Sequence, residues 1–359
     1  MTRQIHSIPL KPLGLIVVLL LLSAAFAQNQ NRRNQVLFAI TNSAGQTGFI
    51  DRQGKIVIEP RFSGAMYGIY FGEGLAPVRS GKGWAYIDTS GRTVLTVPFA
   101  RWAQPFSDGL AGVGVPVGGS EDRDKWGFID RTGKLVIKPQ FDEVYGFAEG
   151  LGRVVVNEKW GFIDRQGNFV VEPQFRGAYW FSEGFASVVL ANDQRVFIDH
   201  SGRIASPPQY TYSDSWFSEG LTPYCAGDKC GFIDTNWQPV IEAKFDHVAQ
   251  TFSDGVAAVQ VGDLWGVVDK SGKLILEPQF KEPISFHEGL ASVRMGDKYG
   301  YIDKSGKVVI EPQFTQANDF RGGLASVTRN PGVNRVQCCW RYWDYIDKTG
   351  KVVWQSPEP

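Results

Sequence analysis

Histidine, methionine and cysteine are scarce in this chain, at four, three and four in 359 residues. None stands in an H-E-x-x-H or C-x₂-C arrangement, which removes the common catalytic and structural zinc sites. No G-x-S-x-G and no complete phosphate-binding loop occurs; Gly-Lys pairs such as Gly133-Lys134 are exits from turns. Net charge is lacking too. Lys and Arg balance Asp and Glu at 37 each, so nothing in the charge argues for DNA, RNA or anionic lipid. The N-terminal apolar run is Leu13–Leu22, interrupted by Gly14. Arg3 and Lys11 precede it and Ala25-Phe26-Ala27 follows, so residues 1–27 have the layout of a secretory signal peptide. Leu13 to Ala27 is 15 residues, shorter than a membrane-spanning helix. Without Arg3 and Lys11, 35 basic side chains face 37 acidic ones. Residues 28–34 read as a flexible polar leader, 35–354 as the folded part, and 355–359 as a tail.

What the chain has in abundance is one aspartate setting. Asp51, Asp88, Asp130, Asp164, Asp199, Asp234, Asp269, Asp303 and Asp347 recur at intervals of 34 to 44 residues. Such a period marks a repeat architecture in which each unit stacks on its neighbours. Around Asp303, Tyr301-Ile302 is strand-like, Lys304-Ser305-Gly306 turns, and Lys307-Val308-Val309-Ile310 resumes β-branched character. Asp at the start and Gly three later suit a hairpin with a left-handed Gly. Eight of nine units keep that Gly and the sixth has Trp237. The Asp is therefore structural; one carboxylate per unit cannot supply a calcium site. A second hairpin, with tips such as Gly296-Asp297 and Asn157-Glu158, joins a Leu-Ala-x-Val strand to the Trp-Gly-Phe-Ile-Asp strand. Each unit is a three-stranded antiparallel meander.

Alternation places Trp126, Phe128 and Asp130 on one side of the middle strand and Gly127 and Ile129 on the other. Both sides need cover, which stacked neighbours supply. A Phe recurs in every linker, at 71, 106, 147, 181, 217, 252, 286 and 320. Burying each contributes about 1.5–3 kcal/mol, so these rings read as rivets between units.

Lys125-Trp126-Gly127, Lys159-Trp160-Gly161, Leu264-Trp265-Gly266 and Lys298-Tyr299-Gly300, with Phe-x-Glu-Gly-Leu-Ala between, resemble the bacterial WG (KWG) repeat family. The likeness covers nearly all of 35–354. Arg195-Val196, Cys230-Gly231 and Thr47-Gly48 depart from it. The resemblance implies a β-repeat interaction module and supplies no reaction or ligand. The fold expected is all-β: about nine tandem three-stranded meanders stacked as an open superhelical array, with a closed propeller-like ring as the alternative. A propeller typically has four to eight four-stranded blades.

Cys225 and Cys230 flank a Gly227-Asp228 turn that sets them directly opposite each other, and a disulfide there fits an oxidising compartment. The pairing of Cys338 and Cys339 stays open. Two insertions, Pro116–Lys125 and Arg329–Tyr342, fall at the same hairpin of the repeat, and such insertions often gather on a binding face. Aromatics also stand off register in the linkers, where the core does not require them. The candidate interaction surface is Tyr67, Trp102, Tyr179, Trp180, Trp216, Arg335, Trp340 and Arg341. No catalytic, cofactor or metal residue is assigned and no cofactor is expected. The function expected is an exported, periplasmic or extracellular, non-catalytic scaffold binding an unidentified protein or envelope component. A carbohydrate-binding envelope protein using the same aromatics is the alternative; a hydrolase is disfavoured for want of a nucleophile–base constellation.

Overall fold

The computed structural model describes residues 36–63, 69–117, 124–212, 215–249, 251–328 and 343–356. The expectations on residues 1–34, Tyr67, Arg335, Trp340, Arg341, Cys338, Cys339 and most of both insertions lie outside them.

Every turn signal read from the repeat is in place. The carboxylate of Asp303 accepts the backbone N–H groups of Ser305 at 2.9 Å and Lys307 at 3.1 Å, and the Ser305 hydroxyl at 2.6 Å. Gly306 follows at φ 82°. The same bonds recur at Asp130, Asp199, Asp269 and Asp347. The described residues are all strand and turn, in nine small antiparallel sheets spanning 38–62, 75–97, 102–141, 143–175, 177–199, 221–245, 247–280, 286–314 and 316–354, here blades 1 to 9.

The meander holds with two corrections. Blades 3, 4, 7, 8 and 9 carry a fourth strand contributed by the linker, six residues long in blade 4 (Glu143–Ala148) and two residues long in the others. Blade 5 instead consists of Gly177–Ala178, Phe185–Val189 and Arg195–Asp199 and lacks the strand that follows the Asp turn elsewhere. That missing strand accounts for two departures of the sequence. In most blades the third strand bulges towards the Trp-Gly glycine. A Cβ on Gly161 would lie 2.7 Å from the Val171 carbonyl oxygen and 2.8 Å from the Pro173 nitrogen. Blade 5 has no such neighbour, and there Val196 is accepted. The turn glycines of other blades rest on an Ile, Leu or Val of the preceding blade, as Gly272 does on Ile241. Behind blade 6 that side chain is absent, and Trp237, at φ 62°, fills the space against Phe185, Phe197, Tyr212 and Phe217.

Linker phenylalanines do act as rivets. Phe147 meets Phe128 at 5.0 Å, Phe181 meets Phe162 at 4.9 Å, and Phe252 meets Phe232 at 4.7 Å, each edge to face and each across a blade boundary. Such pairs add about 0.5–1.5 kcal/mol beyond the area they bury. A second ladder was not read from the sequence. The Glu or Asp of each Phe-x-(Glu/Asp)-Gly turn accepts the Gly N–H of the next blade's turn. Glu73, Asp108, Glu149, Glu183, Glu219, Asp254 and Glu288 bond Gly109, Gly150, Gly184, Gly220, Gly255, Gly289 and Gly323 at 2.6–3.1 Å. All seven acids have φ between 47° and 55°, the left-handed geometry of a two-residue type I′ turn.

The expectation of an open array is overturned: the fold is a closed nine-bladed β-propeller. Phe38 of blade 1 packs edge to face on Tyr345 of blade 9 at 5.5 Å. Phe38, Ile40, Ile50, Leu324 and Tyr345 share one buried cluster. The ring closes without exchanging a strand between its ends, because the contact made at seven of the eight other boundaries (a Phe on the neighbour's middle-strand aromatic) is available there too; at the eighth, Phe286 shares a buried cluster with Val267. The turn that ends the ladder is Arg321-Gly322-Gly323, with no acid. A Cβ on Gly322 would lie 2.6 Å from Val36, so the residue that faces the seam has no side chain. No helix among the described residues is long and apolar enough to cross a membrane.

Candidate functional site

Three of the predicted residues converge. Tyr179 and Trp180 follow the short strand that begins blade 5, and Trp216 lies in the linker into blade 6. Their ring centroids are 5.9 Å apart for Tyr179–Trp180, 5.1 Å for Trp180–Trp216 and 6.4 Å for Tyr179–Trp216. Trp180 is 37% exposed. Strand pairing and the rivet position explain the placement. Phe181 and Phe217 are buried, so the residues before them are carried to the surface of adjacent blades.

Blade 4 completes the patch with Tyr145, an off-register linker aromatic, with the repeat tryptophan Trp160, and with Arg153, which the sequence reading passed over. The Arg153 guanidinium lies 5.0 Å from the Tyr145 ring, 5.9 Å from Trp160 and 5.5 Å from Trp180. Tyr145 and Trp160 stack at 4.8 Å, and the Arg195 guanidinium lies 5.7 Å from the Tyr179 ring. Arg153 Nη1 donates to the Ala178 carbonyl at 3.0 Å, while its Nε is buried with no hydrogen-bond partner. Burial lowers the pKa of this guanidinium, although arginine stays charged in proteins. Among the described residues Arg153 makes no ion pair with a carboxylate, while its neighbours Asp142 and Glu149 pair with Lys125 and His200. The nearby Glu143 accepts from the Tyr145 hydroxyl at 2.8 Å.

A signal for Arg153 was present in the repeat. The corresponding residues of the other units are Ala39, Pro77, Gly112, Ser187, Pro223, Ala258, Ser292 and Ser326, all of them short. One long cation at a position otherwise kept small is the kind of break in a repeat that local packing does not demand.

Trp102 is placed elsewhere. It sits at the start of blade 3, donates Nε1–H to Asp124 at 2.9 Å, and shares the Arg79 guanidinium with Trp84 at 5.5 and 4.5 Å. The Cys225–Cys230 disulfide is formed across the pair of strands in blade 6. Among the described residues no group of three or more His, Cys, Asp and Glu is arranged to hold a metal ion.

The structure also brings together a serine, a histidine and an aspartate that lie far apart in sequence. Ser253 Oγ is 3.4 Å from His287 Nδ1, and His287 Nε2 is 3.2 Å from Asp319. The Ser253 hydroxyl, however, donates to the Phe286 carbonyl at 2.8 Å. Ser182 and Ser218 make the same bond to the Phe217 and Phe252 carbonyls at 2.7 and 2.8 Å. The serine proton is thus committed to joining blades.

The family profile described as WG containing repeat matches residues 48–84, 126–160, 160–192, 197–230, 231–265, 265–299 and 299–330. No curated protein matches the chain. Among solved structures it is similar to one titled as the eukaryotic initiation factor, with 12% identity, 89% of this chain and 94% of that chain covered, and a TM-score of 0.59. It is also similar to BamB from Moraxella catarrhalis, with 10% identity, 74% and 94% coverage, and a TM-score of 0.43. At these identities the first likeness speaks for the fold alone.

Proposed function

We propose that this chain, which belongs to the WG containing repeat family, is an exported, non-catalytic scaffold that binds another protein through the aromatic and arginine patch of blades 4 to 6. The observation that carries the reading is the convergence of Tyr179, Trp180 and Trp216 from two blades onto one partly exposed surface beside Arg153. Trp, Tyr and Arg are the residues that most often dominate the energy of protein interfaces, above all where they cluster. A sugar-stacking platform presents a flat open face. Here the planes of Trp180 and Trp216 are inclined by 44°, which suits a shaped protein segment better.

The non-catalytic part of the reading draws support from the Ser253 hydroxyl, held by a backbone carbonyl in a bond that other blades repeat. Export is supported by the composition of residues 1–27. Cross-linking in intact cells followed by mass spectrometry tests the binding reading. A partner captured by the native chain should be lost from the Trp180→Ala, Trp216→Ala double variant with the fold intact. Undiminished capture rejects the patch, and binding of a glycan through the same two tryptophans favours the carbohydrate alternative. Fractionation of a C-terminally tagged chain tests export, which an unprocessed cytoplasmic product would reject.

A further inference from the structure

Resting on that reading of the patch, we infer that the segment it binds is acidic, with a carboxylate seated against Arg153 and the adjoining side chain lying on Trp180 and Trp216. Three observations point to this chemistry. First, Arg153 is a fixed cation enclosed by Tyr145, Trp160 and Trp180. It has one hydrogen bond, to a backbone carbonyl, and a buried Nε that makes none. A charge removed from water without an opposite charge is costly, and an incoming anion offsets that cost. Second, the carboxylate nearest along the strand, that of Glu143, is engaged by Tyr145. Third, a second guanidinium, that of Arg195, lies over Tyr179 in the same patch, so a second planar donor stands beside the first. Rings on either side hold the guanidinium in one orientation. A planar, pre-oriented fork is what carboxylate recognition uses.

The test uses the full-length chain and defined probes. A Glu–Tyr copolymer, a Lys–Tyr copolymer and polygalacturonate are presented on a biosensor surface at low and moderate salt. The Glu–Tyr copolymer should bind, weaken as salt rises, and lose at least about tenfold in affinity with Arg153→Met, since one charge-assisted contact is worth about 1.5–3 kcal/mol. The Trp180→Ala variant, altered at an exposed position, should lose affinity for the same probe and guards against a folding defect in Arg153→Met. Binding of the Lys–Tyr copolymer instead, or equal binding of the Glu–Tyr copolymer by native and Arg153→Met chains, overturns the inference. Polygalacturonate bound through Arg153 without the acidic peptide overturns the protein class. The underlying reading fails separately: its partner would then survive the double tryptophan substitution. An intact partner lost with Trp180 and Trp216 but kept with Arg153→Met removes only the acidic assignment.

Discussion

The Tyr345 hydroxyl donates to the Ala39 carbonyl at 2.9 Å, joining residues 306 positions apart. Tyr86 reaches Gln104 and Tyr301 reaches Asn318 in the same way, each at 2.7 Å from one blade to the next. The closing seam therefore repeats an ordinary blade boundary. What it lacks is the acid-to-glycine rung found at the seven boundaries from blade 2 to blade 9. Among the described residues blade 1 is thus held to blade 9 by side-chain packing and this bond, while on its other side Arg61 donates to the Gly91 carbonyl of blade 2 at 2.9 Å.

Tyr345→Phe should cost about 0.5–1.5 kcal/mol, the net worth of one hydrogen bond, and should raise amide exchange selectively in blades 1 and 9. Phe38→Ala should cost more, about 3–5 kcal/mol, by opening a cavity at the seam. Urea unfolding with hydrogen-exchange mass spectrometry reads both. Exchange raised evenly in all nine blades would argue against a local seam.

Gly161→Ala should destabilise the chain by at least about 1–3 kcal/mol, because its methyl group meets backbone atoms of the third strand and not a movable side chain. Val196→Ala should instead show only the loss of a buried packing contact, since blade 5 lacks the strand after the Asp turn. Thermal unfolding of the two variants separates the cases.

Trp237→Gly relieves a left-handed backbone at φ 62° but empties the space beside Phe197 and Phe217. The cavity term, about 3 kcal/mol for a large aromatic, exceeds the relief of about 1 kcal/mol. The variant should melt at a lower temperature by calorimetry; a rise would show that backbone strain governs the site.

Acid sensitivity follows from the turns. The Thr132 hydroxyl at Asp130, and the Ser201, Ser271 and Ser305 hydroxyls at Asp199, Asp269 and Asp303, hold these carboxyls below their usual range. Folded values below the unfolded one, near about 3.9, mean the stabilisation is complete above that pH and lost as pH falls through the folded values. Urea midpoints from these groups should be flat from pH 7 to 5 and drop below about pH 4. Asp303→Asn should shallow that drop. A fall concentrated between pH 7 and 5 would point to histidine instead.

Local chemistry made much of this legible. The turn Asp, its Gly and the linker Phe each do one thing in every unit, so their recurrence reveals their role without coordinates. Arg153 was harder to see because its meaning lies in the small residues that replace it in other units. The acids from Glu73 to Glu288 recur as plainly as the Phe, yet their partner is a backbone N–H one blade away, which sequence does not display. Tyr179, Trp180 and Trp216 were marked as members of one candidate surface, while their assembly with Tyr145 and Arg153 depends on how adjacent blades lean together.

By itself the amino-acid order determined the repeat, the strand faces and the hairpins, since these rest on contacts within one unit of about 35 residues. Whether the units close was decided only in three dimensions. Each boundary adds a small rotation, and a ring forms only where nine of them bring Phe38 onto Tyr345. That sum is a property of all the packed boundaries together, and no single unit carries it.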